Sequence, residues 1–149
     1  MLAIGARAPE FTLQDADGRS VSLSGLLSRG PLILYFYPAD FTPGCTREAC
    51  CFRDLHQSVE DAGFELAGIS PQSPESHHAF QDKYRLPFPL LSDVDRCVVR
   101  MYEVAGPLRL GVRRATFLID TKRNIRDLVV SNLRISPHAA FVRRAVGFG

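Results

Sequence analysis

The alternation of apolar and polar residues near the start of the chain predicts a β-hairpin. Residues 11–13 alternate in this way, as do residues 21–23, and a turn-forming run at 15–18 separates them. Residues 31–37, in contrast, are apolar on both faces and end at Pro38. Such a run is typical of a strand buried at the centre of a sheet.

Helices and strands alternate along the rest of the chain. A long helix is predicted from about Cys45 to Ala62, with Gly63 as its stop signal. Further strands are predicted at 64–70, 89–91, 115–120 and 125–130, and further helices at 74–84, 95–102 and 137–146. Asp93 or Asp95 is available to cap the helix at 95–102. This order is typical of the α/β class and of a thioredoxin-like fold, in which helices flank a central mixed β-sheet.

Composition and charge narrow the function. The 149 residues contain no repeat or linker-like run, and 46% hydrophobic with 23% charged residues predicts one globular domain. A net charge of +2, without a basic stretch interleaved with aromatic residues, argues against a nucleic-acid partner. No window approaches ~20 consecutive apolar residues, and the first residues do not resemble a signal peptide. We therefore expect a cytoplasmic protein without a membrane span.

Three of the four cysteines, Cys45, Cys50 and Cys51, lie close together, and Cys97 lies apart from them. In a chain with no predicted export, such a cluster indicates redox or catalytic thiol chemistry. Cys45 lies in the first turn of the long predicted helix, where free backbone N–H groups and the helix dipole stabilise a thiolate. Its position alone leaves open whether Cys45 is a nucleophile or a small apolar residue at a helix start.

Helix geometry gives the cysteines different surroundings. An advance of about 100° per residue puts a core-facing sector on one side of the helix. That sector contains Cys45, Glu48, Cys51, Phe52, Leu55, Val59 and Ala62, and the solvent-facing group contains Arg47, Cys50, Asp54, Gln57 and Asp61. We therefore expect Cys50 to be accessible and Cys51 to be packed. The Cα atoms of Cys45 and Cys50 would lie roughly 8 to 9 Å apart in a regular helix. A disulfide needs about 7 Å or less, so these residues could pair only if the first turn unwinds.

The segment from Pro38 to Cys45, Pro-Ala-Asp-Phe-Thr-Pro-Gly-Cys, resembles the Pro-x-x-x-Thr-x-x-Cys signature of peroxiredoxins. Residues 35–50 are similar to the branch called PrxQ or bacterioferritin comigratory protein. Other similar segments lie at 8–11, 17–18, 68–70, 89–93 and 114–120. The resemblance implies one thioredoxin-like peroxiredoxin domain over residues 1–149. It also implies an antioxidant thiol peroxidase that reduces hydrogen peroxide and organic hydroperoxides.

The same resemblance assigns roles to individual residues. Cys45 would be the peroxidatic cysteine, whose thiolate attacks the O–O bond and becomes a sulfenic acid. Thr42 would hydrogen-bond the peroxide, Arg114 would stabilise the thiolate and polarise the oxygens, and Pro38 would shield the sulfur from water. Glu48 lies on the core-facing sector and is expected to pair with Arg114, because an unpaired buried carboxylate is costly.

Simpler interpretations of these residues stay open. Thr42 could cap the helix, Pro38 could merely end a strand, and Arg114 could be a surface arginine. The neighbouring Arg113 has the opposite strand parity. Arg114 is preferred because of its position before the predicted strand at 115–120.

Cys50 matches the resolving cysteine of those family members that carry it five residues after the peroxidatic one. The resemblance implies an intramolecular Cys45–Cys50 disulfide, which thioredoxin or a similar dithiol reductant would reduce. No cofactor is implied, and a monomer suffices for this cycle. Cys51 stays a minor candidate for the resolving role, and Cys97 is expected to be a small buried residue.

Two other classes of function compete with this one. A metal-binding module would use Cys45, Cys50, Cys51 and some of His56, His77 and His78. No Cys-x-x-Cys or His-x-x-x-His spacing supports it, so we expect no metal. A disulfide oxidoreductase or thioredoxin-like binding module is disfavoured by the same missing Cys-x-x-Cys.

Overall fold

The computed structural model of this protein describes residues 2–147. The strands are β1 (Thr12–Gln14), β2 (Ser20–Ser22), β3 (Leu32–Phe36), β4 (Glu65–Ser70), β5 (Leu90–Ser92), β6 (Ala115–Ile119) and β7 (Ile125–Val130). The helices are α1 (Leu23–Leu27), α2 (Pro43–Asp61), α3 (Pro74–Tyr84), α4 (Cys97–Met101) and α5 (Ser136–Ala145), with a 3₁₀ turn at Pro107–Arg109. In this described part, no helix has both the length and the apolar character needed to cross a bilayer.

Within residues 2–147 the strands form one mixed sheet of seven, in the order β2-β1-β5-β4-β3-β6-β7. Strands β3, β4 and β5 pair in parallel, and β6 pairs antiparallel with β3. The N-terminal hairpin consists of β1 and β2, and a second hairpin consists of β6 and β7. These pairings confirm the predicted mixed sheet and its N-terminal hairpin.

Strand β3 separates two apolar cores. Leu32, Leu34 and Phe36 face the core that also contains the buried residues of α1 and α4. Ile33 and Tyr35 face the core that contains buried side chains of α2, α3 and α5. Because both faces of β3 are covered, its sequence shows no polar alternation. Its C-terminal end carries the loop of residues 37–42, which leads directly into α2.

The helix boundaries differ from the predicted ones at several places. Helix α2 begins at Pro43, two residues earlier than predicted, and α5 is shifted by one residue towards the N-terminus. Helix α1 was not predicted, because five residues are too few to show a helical period. This helix begins with a side-chain cap, in which the Gly25 N–H donates to Ser22 Oγ at 3.0 Å. Helix α4 begins at Cys97, two residues later than predicted. The Asp95 carboxylate accepts from the Cys97 N–H, and Asp93 accepts from the next two N–H groups. Both aspartates therefore serve the helix start.

Candidate active site

Cys45 is the third residue of α2 and is only 1% exposed. The helix start is extended at Thr42, whose carbonyl accepts from the Thr46 N–H at 2.8 Å. The Thr42 hydroxyl does not cap the helix; it donates to the Ala39 carbonyl at 3.0 Å. The Cys45 thiol therefore lies at the positive end of a long helix, among backbone N–H groups that have no intrahelical partner.

Arg114 directly precedes β6, and its guanidinium reaches the thiol. Nη2 donates to Cys45 Sγ at 3.4 Å, and Nη1 donates to Glu48 Oε1 at 2.7 Å. Arg114 is buried, whereas Arg113 is exposed, as expected for neighbours on opposite faces of a strand. A Cβ added at Gly44 would lie 3.1 Å from Nη2, so the glycine leaves room for the guanidinium.

The Glu48 carboxylate is fully buried and only half satisfied. Burial raises the pKa of Glu48 to about 7, although the ion pair with Arg114 acts in the opposite direction. Within the described residues, Oε2 accepts no hydrogen bond, and it lies 3.8 Å from His138 Nδ1. Burial opposes the charge on Arg114, but Glu48 and Cys45 outweigh it and hold the pKa of Arg114 above its ordinary value. One cation thus contacts two acidic groups.

Two buried side chains that the sequence analysis missed complete this cluster, Thr116 on β6 and His138 on α5. His138 Nδ1 lies 2.8 Å from Thr116 Oγ1, and Nε2 lies 2.9 Å from the Ser131 carbonyl. Because a carbonyl only accepts, Nε2 carries a hydrogen, and Nδ1 of the neutral ring accepts from the hydroxyl. Burial lowers the pKa of His138 and Arg114 adds to this, against the bond to Ser131. Thr116 lies two residues after Arg114, so the two side chains point to the same face of the strand. This spacing could have predicted Thr116 from the sequence.

All four thiols are free, and their exposure corrects two predictions. Cys50 and Cys51 are both of intermediate exposure, so the expected contrast between an accessible Cys50 and a packed Cys51 is wrong. The buried stripe of α2 is rotated by about 50° from the predicted sector, towards Ala49, which leaves Cys51 at its edge and Ala62 exposed.

A hydrogen bond joins α2 to another element near Cys50. Arg53, one turn further along α2, donates to the Tyr84 carbonyl at 2.9 Å. The Arg53 side chain therefore links this part of α2 to the end of α3. Cys51 borders a surface cleft between α2 and α5 instead.

Cys97 is exposed, which contradicts the expectation of a buried small residue. It is the first residue of α4, and this short helix turns Val98 and Val99 into the core. Pro38 and Thr42 are also exposed, in the loop of residues 37–42. The Thr42 hydroxyl contacts a backbone carbonyl and not the thiol.

Each of the three histidines of the metal-binding alternative contacts a different set of residues. His56 is 3.6 Å from Glu60, and His78 is 3.6 Å from Asp17. Both ring nitrogens of His77 face groups of the protein. Among residues 2–147, no group of three or more His, Cys, Asp or Glu side chains is arranged to hold a metal ion.

Residues 4–128 match the family model described as AhpC/TSA family. The chain is 47% identical over 130 residues to the chloroplastic peroxiredoxin Q of Sedum lineare. The aligned region covers 86% of this chain and 68% of that protein. It is 42% identical over 147 residues to the putative peroxiredoxin bcp of Coxiella burnetii, covering 95% of this chain and 96% of that protein.

The fold is also found among solved structures. The crystal structure of peroxidoxin BcpB from Mycobacterium tuberculosis is similar with a TM-score of 0.91 and 37% sequence identity. The similarity covers 98% of this chain and 97% of that chain.

Proposed function

The chain belongs to the AhpC/TSA family, and within it to the peroxiredoxin Q and bcp branch of thiol peroxidases, and we propose that Cys45 is the residue that attacks the peroxide. The observation that supports this most strongly is the 3.4 Å contact between the buried Cys45 sulfur and Arg114 Nη2. A fixed cation and a helix start next to one thiol favour the thiolate, which is the nucleophilic form. No other cysteine has an arginine within hydrogen-bonding distance among the residues described.

The proposed reaction begins with the thiolate of Cys45. It attacks one oxygen of the peroxide, so an S–O bond forms as the O–O bond breaks. Sulfur becomes a sulfenic acid, and the leaving alkoxide or hydroxide takes a proton to give an alcohol or water. Negative charge moves from sulfur to the leaving oxygen, and the guanidinium of Arg114 stabilises it during this transfer.

Thr42 and Pro38 are proposed to handle the peroxide itself. The Thr42 hydroxyl donates its hydrogen to the Ala39 carbonyl. The lone pairs of the hydroxyl oxygen can therefore accept a hydrogen bond from a peroxide O–H. This orientation would direct the lone pairs of the peroxide oxygens towards the N–H donors of Arg114 and the backbone of Cys45. Pro38 is proposed to limit the access of water to the sulfur.

Cys50 is proposed to resolve the sulfenic acid. Its thiol would displace water from the oxidised sulfur of Cys45 and form an intramolecular disulfide. Helix α2 runs without interruption from Pro43 to Asp61, so the two Cα atoms are roughly 8 to 9 Å apart and the first turn must unwind. A dithiol reductant such as thioredoxin would then reduce this disulfide by thiol–disulfide exchange, so that Cys45 and Cys50 return to thiols and the reductant leaves with a disulfide of its own.

The rest of the proposal follows from this cycle. Both cysteines belong to one chain, so a monomer suffices, and the chemistry needs no cofactor. We also propose that residues 1–149 form a single domain, because one sheet contains strands from near both ends of the chain. The cytoplasmic location stays a prediction.

The test is peroxide consumption by Cys45→Ser, with dithiothreitol and then thioredoxin as reductant. We expect complete loss of dithiol-dependent activity with an unchanged circular dichroism spectrum. Cys97→Ser, the same substitution at an exposed thiol outside the site, should keep wild-type activity. Activity near wild type in Cys45→Ser would refute the assignment.

A further inference from the structure

A second buried polar cluster holds the loop of residues 37–42 from behind. Asp40 of this loop is 5% exposed, and His77 on α3 is fully buried. His77 Nδ1 lies 2.7 Å from Asp40 Oδ2. The Tyr37 hydroxyl donates to Asp40 Oδ1 at 2.7 Å, and the Ser76 hydroxyl donates to Oδ2 at 2.8 Å. The peroxide reaction described above uses none of these contacts.

His77 bridges the loop and the sheet. Its Nε2 lies 3.1 Å from the Leu91 carbonyl in β5, which only accepts, so Nε2 carries a hydrogen. Its Nδ1 and Asp40 Oδ2 are close enough that one proton must lie between them, because two facing lone pairs would repel each other. The Asp40 carboxylate is therefore fixed from three sides by Tyr37, Ser76 and His77.

The next residue of the loop is strained and is held by the same helix. Phe41 has φ 66, a left-handed conformation that residues other than Gly, Asn and Asp rarely adopt. Its ring packs edge-on against Phe80 of α3 at 5.1 Å between centroids. Lys83 Nζ lies 5.9 Å from the same ring. Helix α3 thus holds two successive residues of a loop whose backbone would otherwise relax.

We propose that Asp40 and His77 are a positioning pair that fixes this loop, and with it Thr42, for peroxide binding. The proposal rests on the proposed function of Thr42. Asp40 lies midway between Pro38 and Thr42, so the buried carboxylate holds the centre of the segment that faces the substrate. The Thr42 hydroxyl is oriented by its hydrogen bond to the carbonyl of Ala39, the residue directly before Asp40.

The pair should act on the peroxide and not on the thiol. The charge next to Cys45 comes from Arg114, which Glu48 holds. Neither Asp40 nor His77 contacts these groups. Loosening the loop should therefore slow the reaction with peroxide while the reactivity of Cys45 towards an electrophile that does not need Thr42 stays the same.

The test compares two reactions of Cys45 in His77→Gln, the peroxide step and alkylation by iodoacetamide, each followed by mass spectrometry. We expect the peroxide rate constant to fall at least tenfold and the alkylation rate to stay within twofold. His78→Gln is the matched control, because it makes the same change at the adjacent, exposed histidine. Both of its rates should equal those of the wild type.

A role in stability alone would lower the melting temperature without changing the ratio of the two rates. An unchanged ratio in His77→Gln therefore overturns the proposal. Should His77→Gln fail to fold, Ser76→Ala removes only one hydrogen bond to Asp40 and should lower the peroxide rate about threefold. Equal peroxide rates in Ser76→Ala and wild type would then overturn it.

A conservative change tests the pair from its other side. Asp40→Asn keeps the size of the side chain and an acceptor oxygen, so it should retain more peroxide reactivity than Asp40→Ala. Because the two residues act as a unit, Asp40→Ala combined with His77→Gln should be no slower than the slower single variant. Additive losses would contradict the pairing. Absence of any fast peroxide reaction in the wild type would instead refute the proposed function.

Discussion

Replacing Glu48 with glutamine should make the stability of this protein less dependent on pH. Burial raises the pKa of Glu48 from 4.5 to about 7 in the folded protein. The folded protein therefore holds this proton more tightly than the unfolded chain does, and the free energy of unfolding falls as the pH rises from 4.5 through 7. Below pH 4.5 Glu48 is protonated in both the folded and the unfolded state, so the free energy of unfolding no longer depends on pH through this group.

The structure sets the size of the effect. The interval from 4.5 to about 7 corresponds to about 3 kcal/mol, at about 1.4 kcal/mol for each pKa unit. Glutamine stays neutral at every pH and its oxygen can still accept from Arg114. The wild type should therefore lose about 3 kcal/mol between pH 4 and pH 8 that Glu48→Gln keeps.

Urea unfolding at pH 4, 5, 6, 7 and 8 measures this difference. His138 and other titrating groups are common to both proteins, so their effects largely cancel when the two free energies are subtracted. Glu75→Gln, at an exposed position of α3, is the control and should follow the wild type within about 0.5 kcal/mol. A constant difference between Glu48→Gln and wild type would contradict the prediction and show that the ion pair with Arg114 fully offsets burial. A wild type that gains stability relative to Glu48→Gln as the pH rises would show that the ion pair outweighs burial.

Three further predictions concern the reaction. Arg114→Met should slow the peroxide step at least about tenfold, because the cation that contacts the Cys45 sulfur is lost; a loss in Arg113→Met instead would mean that the wrong arginine was chosen. Thr42→Val should slow the peroxide step about tenfold or more, measured by stopped flow, and Thr42→Ser should restore it; equal rates would exclude the hydroxyl. The disulfide form should show faster amide exchange over residues 42–52, and unchanged exchange there would contradict unwinding of the first turn.

The sequence pattern predicted most of the sheet because buried strand positions are occupied by apolar residues, which can be recognised in the sequence. β3 is apolar on both faces, and β6 and β7 are separated by a short turn. Helix α1 and the exact start of α4 depend on side-chain caps over a few residues, which periodicity does not detect. The rotation of α2 about its axis depends on neighbouring helices such as α5, so the pattern of α2 alone misplaced Cys51.

The same distinction between local and distant signals applies to the site. Cys45 and Thr42 belong to one contiguous motif, and the position of Arg114 directly before the predicted strand at 115–120 distinguished it from Arg113. Thr116 shares the strand parity of Arg114 and could have been predicted from it. His138 and the Asp40–His77 pair join segments far apart in the sequence, and no local pattern of residues predicts such contacts.

Peptide mapping after one equivalent of peroxide shows directly which sulfur is oxidised and which cysteine it then pairs with. Trypsin cleaves after Arg47 and separates the peptide of Cys45 from that of Cys50, which also contains Cys51. The Cys51→Ser protein removes this ambiguity. In it we predict a chain that loses two hydrogens and a linked peptide pair joining Cys45 to Cys50, while Cys50→Ser retains a sulfenic acid at Cys45. A disulfide that maps to Cys97, a bond between two chains, or an unoxidised Cys45 would contradict the account.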